Sequence, residues 1–91
     1  MTMEVRVAAS LQGLVGDASI IQAQGETVRQ LLDDIDNRFP GFKRRLVSEQ
    51  GKLNGSIFIL LNDEDIRPLG ELETPLKDGD VVSVLVVMSG G

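Results

Sequence analysis

Residues 76–91 read LKDGDVVSVLVVMSGG. The valine-rich run 81–87 suits a pleated, half-buried strand. The Lys77–Asp78–Gly79–Asp80 segment ahead of it predicts a tight turn, in which Gly79 takes positive φ without a Cβ penalty. A strand this apolar must be covered on at least one face, so the residues before it must supply partner strands and a covering helix.

Residues 56–61 (SIFILL) predict a second strong strand, followed by a polar turn at residues 62–65. Ile66–Arg67 reads as a short return strand before Pro68. Leu69, Leu72 and Leu76 stand at helical spacing, but Gly70 and Pro75 limit that piece to a turn or two. The main helix opens at Gly25–Glu26–Thr27, with Thr27 as N-cap and Gln30 completing a capping box. Val28, Leu31, Leu32, Ile35 and Phe39 form one apolar stripe, which Pro40–Gly41 terminates. Residues 42–48 predict a helical turn with Phe42 and Leu46 inward, and residues 49–55 a mobile loop. Met3, Val5 and Val7 alternate with Glu4 and Arg6 as a strand with one wet face. Residues 18–23 give its antiparallel partner across a longish loop marked by Gly13, Gly16 and Asp17.

The order is ββαββ, an α+β pattern: a mixed sheet of about four to five strands packed on one main helix. The expected core comprises Val5, Val7, Ile21, Val28, Leu31, Leu32, Ile35, Ile59, Leu61, Leu76, Val82 and Val84. A chain of 91 residues suits a single domain spanning 1–91, with a flexible tail at 88–91.

Composition removes many kinds of chemistry. The chain has no cysteine and no histidine, which excludes disulfides, thiolate nucleophiles, imidazole acid–base catalysis and the usual zinc sites. Its serines therefore have no histidine to activate them, and no catalytic residue is assigned. Three phenylalanines are its only aromatics and its net charge is −5, which argues against nucleic acid as a partner. No apolar run is long enough to span a bilayer and no secretory leader is evident, so a cytoplasmic location without membrane contact is expected. Asp63, Glu64 and Asp65 lack calcium-loop spacing, and no metal site is assigned. The acids of residues 63–80 either steer a basic partner or form a solvated face.

The reactive candidate is the end of the chain. Gly90 and Gly91 have no side chains, so with Ser89 and Met88 they can thread a narrow enzyme cleft and present only the Gly91 carboxylate. That carboxylate becomes an electrophile once ATP converts it to an acyl-adenylate, and a sulfur nucleophile then leaves a thiocarboxylate. The alternative is an incidental, frayed terminus. Docking residues for such a partner are predicted on the outer sheet face. With Val82, Val84 and Val86 inward, Leu85 and Val87 face out beside the tail, on the same side as Phe58 and Leu60. The alternative is an edge covered by the chain's own loops.

The Leu76–Asp80 segment, its eleven-residue spacing to the end, the ββαββ order and Gly90–Gly91 together resemble the ubiquitin-like β-grasp sulfur carriers. That family includes the small subunit of molybdopterin synthase, the thiamine sulfur carrier and a cysteine-biosynthesis sulfur carrier. The length, and the segment from Leu61 to Arg67 (LNDEDIR), look most like the cysteine-biosynthesis type. Val86 and Val87 stand where molybdopterin-type carriers usually have two prolines, and Ser89 where alanine is common. The resemblance implies a protein cosubstrate that binds no cofactor of its own. An E1-like adenylyltransferase/sulfurtransferase would activate Gly91 with MgATP. A pyridoxal-phosphate-dependent cysteine synthase would accept the sulfur, and a metalloprotease would release the product. Three rivals remain: the small sulfur-carrying subunit of molybdopterin synthase, a ubiquitin-like modifier joined to lysines through Gly91, and a plain interaction domain.

Overall fold

The computed structural model describes residues 2–87. The tail residues Met88, Ser89, Gly90 and Gly91 lie outside the described residues. Five strands form one sheet: β1 (Thr2–Val7), β2 (Ile20–Gln24), β3 (Ile57–Leu61), β4 (Glu64–Asp65) and β5 (Val81–Val86). Their order is β2-β1-β5-β3-β4; β1 and β5 run parallel and every other pair is antiparallel. Helices α1 (Val28–Arg38) and α2 (Phe42–Leu46) lie between β2 and β3. The strand that ends in the tail is therefore central, which explains why it is the most apolar.

Local chemistry sets α1 as its sequence predicts. The Thr27 hydroxyl accepts from the Gln30 amide at 3.2 Å, and the Gln30 carbonyl reaches back to the Glu26 amide at 2.9 Å, one residue earlier than a capping box requires. The residues just ahead of α1 pair with residues 74–76. Val28 N donates to Thr74 O and Leu76 N to Glu26 O, while Pro75 faces Thr27 at the position where no N–H is needed. The Asp36 carboxylate accepts from the Gly41 and Lys43 amides, both at 3.1 Å, and so fastens α2 to α1.

One apolar cluster runs from Met3 to Val84 and joins the inner face of the sheet to α1 and α2. Of the expected core, Ile21 and Leu61 are only partly buried, while the other ten residues are buried. The core is also larger than the sequence predicts, because the β1–β2 connection is not an open loop. It contains a 3₁₀ helix, Ala9–Val15, whose Leu11 and Val15 are fully enclosed. Gly16 closes it in the left-handed conformation.

Two further expectations change. The return strand is Glu64–Asp65, not Ile66–Arg67. Asn62 and Asp63 both take positive φ, the geometry of a two-residue hairpin turn, so Glu64 already pairs with Leu61. Ile66 then drops into the core instead of extending the strand. The leucine-spaced segment is two separate 3₁₀ turns, Arg67–Leu69 and Glu71–Glu73, divided by Gly70 at φ 130°. Leu72 and Leu76 are buried, while Leu69 is left exposed. The loop at residues 49–55 is tied down by Ser48 N to Lys52 O, Gly51 N to Ser48 O and Asn54 N to Leu46 O.

Candidate docking face and carrier end

The outer face of the sheet is set by strand register. Inside β5, Val82 and Val84 are fully buried and Val86 is half-buried against the core, so Ser83 and Leu85 point outward. Val87, two residues beyond Leu85, continues that side, and its amide donates to Ser56 O at 2.8 Å. Phe58 lies directly opposite Leu85, and Leu60 opposite Ser83. Directly opposed residues share a face with Cβ atoms about 5 Å apart. Phe58, Leu60, Leu85 and Val87 are thus brought together on one side, as expected from sequence. Leu85 is 39% exposed and Val87 47%, whereas Phe58 and Leu60 are half-buried.

Phe58 is half-buried because of a residue the sequence reading missed. The Arg67 guanidinium stacks 4.5 Å from the Phe58 ring centroid, and its Nη2 donates to Ile57 O at 3.0 Å. Arg67 Nη1 is buried without a hydrogen bond among the described residues, 3.9 Å from the Asp65 carboxylate. Reading Ile66–Arg67 as a strand hid this role; the sequence signal was an arginine just after a two-residue hairpin. On the other flank, Arg6 Nε donates to Glu4 at 2.8 Å. That hydrogen bond, and then the charge of Glu4, raise the Arg6 guanidinium above its already high ordinary pKa, so it stays charged at every relevant pH. Register places Ile20, Arg6, Ser83, Leu60 and Asp65 in one row across the sheet. The patch therefore has an apolar centre and a charged rim, the anatomy of a protein–protein interface.

The acids of residues 63–80 are partly committed to local ties. Asp80 accepts from Asn62 Nδ2 and the Lys77 amide, Asp78 from the Thr2 amide, and Glu73 from Arg29. Among the described residues no group of three or more carboxylates is arranged to hold a metal, and no helix is long and apolar enough to cross a membrane. Two clefts lie along α1 and α2, lined by such residues as Gln30, Asp33, Pro40 and Arg44, and a third borders Thr2, Gln22 and Arg38 at the β2 edge; none is lined by Phe58, Leu60, Leu85 or Val87. Gly91, the expected carrier residue, and Gly90, Ser89 and Met88, expected to thread a partner's cleft, lie beyond Val87, outside the described residues.

Comparison with known proteins agrees with this geometry. The sequence model of the ThiS family matches residues 5–91. The sulfur carrier protein CysO of Mycobacterium tuberculosis is 33% identical over 93 residues, covering all of both chains. Small archaeal modifier protein 3 of Haloferax volcanii is 31% identical over 93 residues, again covering both in full. A crystal structure of the Amycolatopsis orientalis BexX/CysO complex contains a chain that superposes with a TM-score of 0.91 at 38% identity, covering 98% of this chain and 99% of that one.

Proposed function

The chain belongs to the ThiS family of ubiquitin-like sulfur carriers and has the β-grasp fold of its structural neighbours, and from that premise we propose that it carries sulfur on the carboxylate of Gly91. The observation that carries this reading is a family match that runs through Gly90 and Gly91 on a chain with no cysteine. An E1-like adenylyltransferase binds the outer sheet face through Phe58, Leu60, Leu85 and Val87 and takes the tail, from Met88 to Gly91, into its cleft. A Gly91 carboxylate oxygen attacks the α-phosphorus of ATP, and pyrophosphate leaves. A sulfide-level nucleophile then adds to the acyl carbon and AMP departs, leaving the thiocarboxylate.

The chain itself is a cosubstrate; MgATP and pyridoxal phosphate belong to its partners. The likeness to CysO favours a cysteine synthase as acceptor, with a metalloprotease releasing the product from Gly91. The likeness to a small archaeal modifier protein favours a second use of the same adenylate, attack by a lysine amine of another protein. A cytoplasmic location, where MgATP is supplied, suits these reactions.

Intact mass of the protein isolated from its host tests the reading. The expected result is a species heavier by one oxygen-to-sulfur exchange, absent when Gly91 is deleted. Failure to form an adenylate with MgATP and the host's activating enzyme would overturn it. Lysine conjugates in lysate would separate the modifier use from the carrier use.

A further inference from the structure

We propose that the partner acting on Gly91 adds a β-strand of its own beside Val86; this rests on the carrier reading above and names where that partner grips. Backbone direction alternates along β5. Val87 N donates to Ser56 O, so residues 83, 85 and 87 turn their backbone groups toward β3. Ala8 N donates to Val84 O at 2.9 Å, so residues 82, 84 and 86 turn theirs toward β1. But β1 ends at Val7, opposite Val84, and the chain then enters the 3₁₀ helix Ala9–Val15. Val86 therefore runs past the end of β1. Among the described residues nothing hydrogen-bonds its N–H or C=O on that side. The β3 flank continues to Val87 and holds the strand extended. A strand end held on one flank and open on the other is the geometry that strand addition uses.

The outer edges of the sheet are protected by contrast. On β2, Arg38 Nη2 donates to Gln22 O and the Gln24 amide donates to Asp34, and these two side chains also pair with each other. On β3, Ile59 O accepts from the Ile66 amide and Ile57 O from Arg67. Charged side chains on edge strands are a recurrent way of blocking unwanted strand pairing. Among the described residues the notch at Val86 has no such cover. It is bordered by exposed Leu85 and Val87, and Gly91 is five residue steps further along the chain, a reach of at most about 17 Å in extended chain. A cleft that holds Gly91 thus has its mouth beside Val86. The occupant is a short extended segment of the activating enzyme, paired to Val86 through backbone and laid on Leu85 and Val87 through apolar side chains.

The test uses the full chain and the E1-like adenylyltransferase of its host. Amide exchange is measured with and without the enzyme, and pyrophosphate exchange is measured for Val86→Pro and Val86→Ala, with folding checked by circular dichroism. The Val86 amide is expected to exchange at least tenfold more slowly in the complex. KM for Val86→Pro, which lacks the N–H, should exceed that for Val86→Ala by roughly tenfold, the effect of one lost backbone bond with its partner stranded. Unchanged exchange at Val86, or equal KM for the two variants, overturns the strand-addition proposal while wild-type activation leaves the carrier reading standing. If Val86→Pro fails to fold, the wild-type amide exchange decides alone. No Gly91-dependent pyrophosphate exchange by wild-type protein overturns both.

Discussion

Single residues fix the entry to α1 in two different ways. Thr27 acts through its side chain, which accepts from the Gln30 amide. Gly25 acts through having none: a Cβ there would lie 2.6 Å from the Leu31 backbone nitrogen, in the first turn of the helix. The cap can be lost to water, because the freed amide is near the surface, whereas backbone cannot yield to a misplaced methyl. Thr27→Ala is therefore expected to lower stability by about 1 kcal/mol, and Gly25→Ala by about 1–3 kcal/mol. Guanidinium denaturation should place the midpoint of Gly25→Ala below that of Thr27→Ala; the reverse order would show that the strand–helix junction relaxes freely. Only the first of these roles was legible in sequence. A cap is a residue type at a spacing, but a close approach is a distance between elements, and sequence carries no sign of it.

Elements were legible in proportion to their periodicity. The α1 stripe and the alternation of β1 repeat often enough to reveal both type and inward face. The short pieces do not repeat. Residues 9–15 contain only Leu11, Leu14 and Val15 as large apolar side chains among small and polar ones, which reads as a loop. In the fold Leu11 and Val15 close one end of the core. The return strand was misplaced for a related reason: the turn is two residues long because Asn62 and Asp63 both accept positive φ, and the polar run 62–65 concealed where the turn stops. The outward facing of Phe58, Leu60, Leu85 and Val87 was legible because alternation within β3 and β5 fixes which side chains face out, while the position of Arg67 was not, because it depends on what the hairpin brings back over Phe58. If the 3₁₀ helix belongs to the core, Leu11→Ala creates a cavity and costs about 2–5 kcal/mol. Leu14→Ala would not test this, since Leu14 is only partly buried. A Leu11→Ala loss below about 1 kcal/mol in urea melts would return the segment to the status of a covering loop.

At the scale of the molecule, stability and carrier chemistry are assigned to different parts of the chain. Every buried apolar residue among those described lies between Met3 and Val84, and the last described hydrogen bond along β5 is Val87 N to Ser56 O. Gly91 lies four residues beyond, so the chemistry proposed for it can be tested by changes that leave the described core untouched. The docking face is intermediate, because Leu85 stands on a central strand but points away from the core. Two variants separate these roles. One alanine appended after Gly91 moves the carboxylate by about 3.5 Å and replaces the glycine that must fit the cleft. Leu85→Asp leaves the carboxylate in place but puts a charge in the apolar centre of the face. Both are expected to melt within a few degrees of wild type, because an exposed strand substitution costs about 1 kcal/mol or less. The extended chain should form no adenylate at any concentration. Leu85→Asp should still react, with KM raised roughly tenfold or more, because a charge desolvated at the centre of an interface weakens binding without altering the reacting group. Activation of the extended chain at the wild-type rate would remove Gly91 from the mechanism, and an unchanged KM for Leu85→Asp would move the docking surface off the sheet.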